Sequence, residues 1–135
     1  MKTTLTAGIA AKRKYRIDRE RTIDFMGEQA RVYATPMLVR DIEVTCREFL
    51  LEHLDAGEDS VGTHVTIDHL AATPMGLQVS IQVSVKEVDR RKVTFEFSVL
   101  DPIEECGRGT HVRFVVENAK THARLQEKRQ KAGLA

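Results

Sequence analysis

Apolar and polar residues alternate along four stretches in the second half of the chain. The alternation is complete in residues 77–85, and it recurs in residues 93–99, 110–116 and, less regularly, 61–71. A period of two is typical of strands that bury one face, and turn-forming residues separate the four stretches. The pattern therefore predicts four strands of an antiparallel sheet with one dry face.

One segment before these strands has the period of a helix. It runs from Pro36 to about Leu54 and stops near Gly57, a residue type that favours helix ends. Residues 11–22 alternate more weakly and are a candidate edge strand. We therefore expect an α+β protein with the hotdog fold, in which one long central helix is wrapped by a curved antiparallel sheet of about five strands.

Glu43 departs from the pattern of the helix. At about 100° per residue the apolar side chains form one arc in which Glu43 is the one acid, whereas Asp41 falls on the polar side. A carboxylate in such a place needs a partner or a raised pKa, and either suits catalysis. The alternative is a boundary glutamate paired with Arg40 or Arg47 at helical spacing. The helical wheel does not choose between the two.

His69 is the second departure. Strand parity directs it to the same side as Val65 and Ile67, toward the helix that carries Glu43. A lone histidine on an apolar face is more often a core residue than a catalyst. A histidine and a glutamate on facing apolar surfaces make the two interpretations about equal.

The last predicted strand, residues 110–116, also has two distinct faces. Its predicted buried set consists of Val112, Phe114 and Val116. His111 and Arg113 would then lie on the other face. The histidines of the chain form no metal-binding signature, and no metal or other cofactor is expected.

The start of the helix offers both a structural and a chemical role. Thr35 is a favourable N-cap residue, and this explanation suffices without function. The first amides of a helix also lack intrahelical partners, and Pro36 has no amide proton. The donors of Met37 and Leu38 could therefore hold a developing oxyanion.

Composition bounds the class of protein. The 135 residues are 41% hydrophobic and 30% charged, as in an ordinary soluble domain, and the net charge is +1. This charge draws the protein neither to nucleic acid nor to anionic membranes, and no apolar run approaches the roughly 20 residues of a bilayer span. We predict one cytoplasmic domain over residues 1–135, in which residues 119–135 form a charged helical appendage.

Several stretches resemble one family, the fluoroacetyl-CoA thioesterases. Residues 33–39 (YATPMLV), followed by Glu43, resemble the start of their helix. Residues 62–63 (GT) and 68–74 (DHLAATP) resemble their next strand and turn, and residues 107–113 (GRGTHVR) resemble their last strand. The resemblance runs from residue 33 to about residue 128, and the stretch around residue 69 is its most specific part.

The resemblance implies a hotdog homodimer whose active sites lie at the subunit interface and take an acyl-CoA substrate. It assigns Thr35, Glu43 and His69 to the reaction at the thioester carbonyl. Gly62 and Arg113 match further residues that line the family's pocket.

The family's namesake closes its pocket with phenylalanines just upstream of the threonine, where this chain has Met26 and Gln29. Phe25 lies nearby but out of register. Selectivity for a fluoroacetyl group is therefore a separate question from thioester hydrolysis.

Two hypotheses follow. In the first, the protein is a thioesterase that cleaves a short acyl-CoA, and Glu43 either attacks the carbonyl to give a mixed anhydride or activates water. The sequence does not choose between these two roles. In the second, the protein is a non-catalytic hotdog module that binds acyl-CoA in the same pocket.

Overall fold

A five-stranded antiparallel sheet and one long helix dominate a computed structural model that describes residues 1–134. In chain order the elements are β1 (Ala10–Arg16), β2 (Thr22–Ile23), β3 (Val32–Tyr33), α1 (Thr35–Leu51), β4 (Glu58–His69), β5 (Gln78–Asp89), β6 (Lys92–Leu100), β7 (Glu105–Glu117) and α2 (Asn118–Lys131). The main sheet has the order β1-β5-β6-β7-β4, and β2 pairs with β3 in a small ribbon. The predicted α+β architecture, with about five strands and one long helix, is confirmed.

The core lies between α1 and the sheet. Four side chains at helical spacing, on the face of α1 turned to the sheet, are almost fully buried: Leu38, Ile42, Cys46 and Leu50. They pack with alternate side chains of β5 and β6, which include Val79, Ile81, Val83, Val85, Val93, Phe95, Phe97 and Val99. The period-two and helical patterns of the sequence therefore meet in one hydrophobic core.

The helix is shorter than predicted and begins one residue earlier. It starts at Thr35 and ends at Leu51, and Ala34 is the N-cap residue. After Leu51 the backbone hydrogen bonds join residues three apart instead of four: the amide of Leu54 donates to the carbonyl of Leu51 at 3.2 Å. The final turn is therefore not α-helical, although Leu54 stays buried.

Asp41 was predicted on the polar side of the helix, and this prediction is wrong. The residue is only 2% exposed. Its carboxylate accepts hydrogen bonds from the Tyr33 hydroxyl at 2.5 Å and from Nε of Arg21 at 2.8 Å. Burial, reinforced by Asp41, raises the pKa of Tyr33, so its hydroxyl stays protonated as a donor. The chain that precedes the helix covers this side of α1.

We expect Asp41→Ala to lower the free energy of unfolding by about 3 kcal/mol, because Arg21 and Tyr33 lose a buried charged acceptor. Urea denaturation followed by circular dichroism measures this change. Glu48→Ala is the matched control, since Glu48 is also an acid of α1 paired with an arginine, Arg13, but at the surface. Its cost should stay below about 1 kcal/mol. Equal losses in the two variants would contradict a special role of the buried carboxylate.

The faces of β7 are also opposite to the prediction. His111 and Arg113 are 1% and 5% exposed, whereas Phe114 is 42% exposed. The parity of apolar residues misleads here because the inward-facing polar side chains bind one another and nearby backbone groups. Buried polar groups with partners avoid the cost of desolvation.

The outer edge of β4 and the helix α2 are open to solvent. β4 pairs with β7 along one edge, and along its other edge no strand of residues 1–134 pairs with it. Its Val61 and Val65 are exposed. Within residues 118–131, α2 has no buried side chain. None of the helices in residues 1–134 has the length and hydropathy needed to cross a bilayer.

Candidate active site

Thr35 contacts His69 at the start of α1. The Thr35 hydroxyl lies 2.7 Å from Nδ1 of His69, the last residue of β4. No side chain caps the helix, because Ala34 occupies the N-cap position. The prediction that Thr35 is the N-cap is therefore wrong, and its hydroxyl is engaged with a titratable ring instead.

The other nitrogen of His69 is unpaired. Nε2 is buried and has no hydrogen-bond partner among residues 1–134. The ring packs edge-on against Tyr33 with 6.4 Å between centroids. Burial lowers the pKa of His69, so the imidazole is neutral at neutral pH. A neutral ring with one free nitrogen can exchange a proton with a bound ligand.

A cavity of about 440 Å³ opens next to this pair. Thr35 and His69 contribute its polar side chains, and Tyr33, whose hydroxyl donates to Asp41, also lines it. The rest of the lining is apolar: Ile23, Phe25, Val32, Ala34, Pro36, Ala71 and Ala72. Such a mixture of apolar walls and few polar groups is typical of small-molecule sites. Phe25 is 86% exposed, so it does not close the cavity.

Glu43 lies in a separate group of residues, eight positions further along α1. Its Oε1 is 3.6 Å from Nη1 of Arg113 on β7, and its side chain is 46% exposed. Gly62 of β4 lies against this carboxylate, since a Cβ built there would be 2.3 Å from Oε1. Arg47, one of the two partners considered from the sequence, binds Asp59 instead, at 2.7 and 3.0 Å.

Three hydrogen bonds hold the guanidinium of Arg113. Nε donates to Oγ of Ser60 at 2.7 Å, Nη2 donates to the Ser60 carbonyl at 2.9 Å, and Nη1 lies 3.2 Å from Nε2 of His111. Ser60 and His111 were not predicted as members of this group. The signal that could have found His111 is the pair of polar side chains two residues apart on β7 together with the resemblance of residues 107–113, whereas Ser60 on β4 gave no such signal.

One chain does not bring all the predicted site residues together. Thr35 and Glu43 are about 12 Å apart along the helix axis, at 1.5 Å per residue. Gly62 and His69 are about 23 Å apart along β4, at about 3.3 Å per residue. The structure therefore has two half-sites, one formed by Thr35 and His69 and the other by Glu43, Gly62 and Arg113.

The amides of Met37 and Leu38 are already engaged. Both donate to the carbonyl of Ala34, each at 3.0 Å. The Thr35 amide, by contrast, makes no hydrogen bond to another backbone group of residues 1–134. The amides of Met37 and Leu38 are therefore not free as predicted, and the amide at this helix start without a backbone partner in residues 1–134 is that of Thr35. Residues 1–134 also contain no cluster of three or more metal-ligand side chains.

Comparisons with known proteins point in one direction. Residues 17–119 match the model of a family described as fluoroacetyl-CoA-specific thioesterase. A fluoroacetyl-CoA thioesterase of Streptantibioticus cattleyicolor is 35% identical over 97 residues, which are 72% of this chain and 70% of that protein.

Solved structures of thioesterases also resemble this chain. A fluoroacetyl-CoA thioesterase superposes with a TM-score of 0.84 and 28% identity, over 92% of this chain and 97% of that one. A thioesterase superfamily member from Thermus thermophilus superposes with a TM-score of 0.88 over 97% and 98% of the two chains. Its identity is 22%, so this likeness concerns the fold alone.

Proposed function

Since the chain belongs to the fluoroacetyl-CoA-specific thioesterase family and is thus a thioester hydrolase, we propose that it cleaves a short-chain acyl-CoA to the carboxylic acid and free CoA. Membership of an enzyme family favours hydrolysis over the non-catalytic binding module. An acyl-CoA substrate also fits the single cytoplasmic domain expected from the sequence. The observation that carries the proposal is that the chain holds both a half-exposed, arginine-bound carboxylate and, at a separate place, a threonine–histidine pair beside a cavity.

Glu43 would act on the thioester carbonyl in one of two ways. As a nucleophile, its oxygen bonds to the carbonyl carbon, the C–S bond breaks, and water later hydrolyses the mixed anhydride. As a general base, it takes a proton from a water whose oxygen attacks the carbon, and the departing thiolate is then protonated. In both cases thiolate is a good leaving group, so the chemistry requires no metal.

The Thr35–His69 pair would protonate the leaving group and stabilise the oxyanion. If the Thr35 hydroxyl donates to Nδ1 of His69, the neutral ring carries its proton on Nε2, which faces no other acceptor in residues 1–134. That proton is then available to the leaving sulfur. The free amide of Thr35 would bind the oxyanion as it develops.

A homodimer would join the two half-sites. The free edge of β4 can pair with the same edge of a second copy, antiparallel and around a two-fold axis. An axis at Val65 pairs that residue with its own copy and places Gly62 within one residue of the partner's His69. Each site then combines Glu43, Gly62 and Arg113 of one subunit with Thr35 and His69 of the other. The same pairing would cover the exposed edge strand.

The mouth of the cavity bears on the choice of acyl group. Phe25 lines the cavity but is largely exposed, and Met26 and Gln29 lie outside the lining. An open apolar mouth discriminates small substituents by only about 1–3 kcal/mol. We therefore propose that several short acyl chains are admitted, with fluoroacetyl as one of them.

A panel of acyl-CoA substrates, followed by release of free thiol, tests the proposed function. We expect turnover of short chains, and values of kcat/KM for fluoroacetyl-CoA and acetyl-CoA that differ by less than about a hundredfold. Phe25→Ala is the matched variant and should change KM for both substrates alike. A preference of several thousandfold for the fluorinated substrate would overturn the argument from the open mouth. Tight binding of acyl-CoA without thiol release would overturn the hydrolysis itself.

A further inference from the structure

We propose that His111 and Ser60 are positioning residues that hold the guanidinium of Arg113 against Glu43, an inference that rests on the proposed role of Glu43. Neither residue touches the carboxylate through a hydrogen bond; both act through Arg113. The proposal assigns a role to two buried polar side chains that strand parity alone would place at the surface.

The hydrogen bonds of His111 fix the position of its proton. Nδ1 lies 2.8 Å from the backbone carbonyl of His64. A carbonyl oxygen only accepts, so Nδ1 must carry the proton. In a neutral ring Nε2 is then a bare acceptor, and it lies 3.2 Å from Nη1 of Arg113, which only donates. Burial lowers the pKa of His111, which favours this neutral form.

The guanidinium is therefore held on three sides. Its Nε and Nη2 donate to the side chain and the carbonyl of Ser60, and Nη1 donates one proton to His111. The group is planar with five protons in fixed directions, so these bonds determine where the rest point. The second proton of Nη1 remains for Oε1 of Glu43, at 3.6 Å. Rotation of the guanidinium would break this contact.

Gly62 shows that the arrangement is closely fitted. A Cβ at this position would lie 2.3 Å from Oε1 of Glu43, 3.1 Å from Cε1 of His111 and 3.3 Å from Nη1 of Arg113. The carboxylate, the imidazole and the guanidinium thus converge over one residue without a side chain. A network with fixed directions that converges on a reactive carboxylate favours positioning over a merely structural role.

Steady-state kinetics distinguish a positioning role of His111 from a merely structural one. We expect His111→Leu to lower kcat by between about ten- and a hundredfold through misplacement of Glu43, with a much smaller change in KM. His111→Gln should retain most of kcat, because its amide oxygen can accept from Arg113. Val115→Ala is the control: Val115 is buried four residues further along β7 than His111, so the variant should lose stability without losing kcat. A His111→Gln enzyme as slow as His111→Leu would overturn the proposal.

A double variant distinguishes failure of this inference from failure of the proposed function. If His111 acts through Glu43, adding His111→Leu to Glu43→Gln should slow the enzyme by no more than about twofold, because coupled residues are not additive. Fully additive losses would overturn the inference. Wild-type turnover by Glu43→Gln alone would instead overturn the proposed role of Glu43. If Glu43→Gln is slow but His111→Leu is as fast as the wild type, the inference about His111 is wrong and the proposed function is not contradicted.

Two further measurements keep the test independent of how well His111→Leu folds. Nitrogen NMR of the labelled wild-type enzyme should show His111 with a protonated Nδ1 and a bare Nε2, and the opposite tautomer would overturn the proposal. Ser60→Ala removes one of the bonds to Arg113. It should also lower kcat more than it changes KM, and an unchanged kcat would count against the network.

Discussion

Replacing Glu43 with glutamine is expected to lower kcat/KM more than about a hundredfold, a loss of about 3 kcal/mol or more of transition-state stabilisation. Glutamine keeps the size of the side chain but provides neither a nucleophilic carboxylate nor a base. The fold should survive, because the side chain is nearly half exposed and Arg113 keeps its bonds to Ser60 and His111. Release of free thiol from the best acyl-CoA of the panel measures the effect.

Glu48→Gln is the matched control for this variant. Glu48 is also a glutamate of α1 with an arginine partner, but it lies outside both half-sites. Its kcat/KM should equal that of the wild type. If folded Glu43→Gln behaves in the same way, Glu43 is a structural ion-pair residue and the catalytic assignment is wrong.

Mixed dimers should recover activity that both of their parents lack. If each site takes Glu43 from one subunit and His69 from the other, a dimer of one Glu43→Gln subunit and one His69→Ala subunit has one intact site and one doubly altered site. Co-expression with two different tags, followed by sequential purification, isolates these dimers. We expect about half of the wild-type kcat/KM, since one of two sites is complete.

The control combines two changes from the same half-site. A mixed dimer of Thr35→Ala and His69→Ala subunits damages both sites and should stay as slow as its parents. Light scattering should give about twice the chain mass of 15.3 kDa for each preparation. Mixed Glu43→Gln and His69→Ala dimers that remain inactive would place each site within one chain. A monomer mass at micromolar concentration would contradict the dimer itself.

The sequence was sufficient to predict the hotdog fold, and this prediction is confirmed. The main helix and strands show regular alternation of apolar and polar residues over long stretches. This alternation arises because each element buries one face in the core. The burial of Asp41 could not be predicted in this way. The segment that covers it, residues 17–33, alternates only weakly up to residue 22 and is irregular after that, so the helical wheel gave no sign that the polar side of α1 would be covered.

The arrangement of the site was predictable only in part. The resemblance singled out Thr35, Glu43 and His69, but no periodicity reports that the first and last lie together while Glu43 lies with Arg113. Strand parity failed on β7 for a related reason. Parity assumes that polar side chains face water, whereas His111 and Arg113 satisfy each other in the interior.

The anchoring of the segment before α1 has a consequence for how substrate range can change. Arg21 binds Asp41 through its side chain, its carbonyl accepts from the amide of Ala34 at 2.9 Å, and the amide of Tyr33 donates to the carbonyl of Thr73 at 2.8 Å. The segment is therefore anchored at both of its ends, and the end at residues 33–34 leads directly into α1. Residues 24–29, between the two anchored ends, are exposed. Substitutions, insertions or grafted loops in residues 24–29 can reshape the entrance with little effect on Thr35 and His69. In the proposed site, recognition and chemistry would thus be separable, and a new acyl selectivity could evolve, or be engineered, without rebuilding the reaction centre.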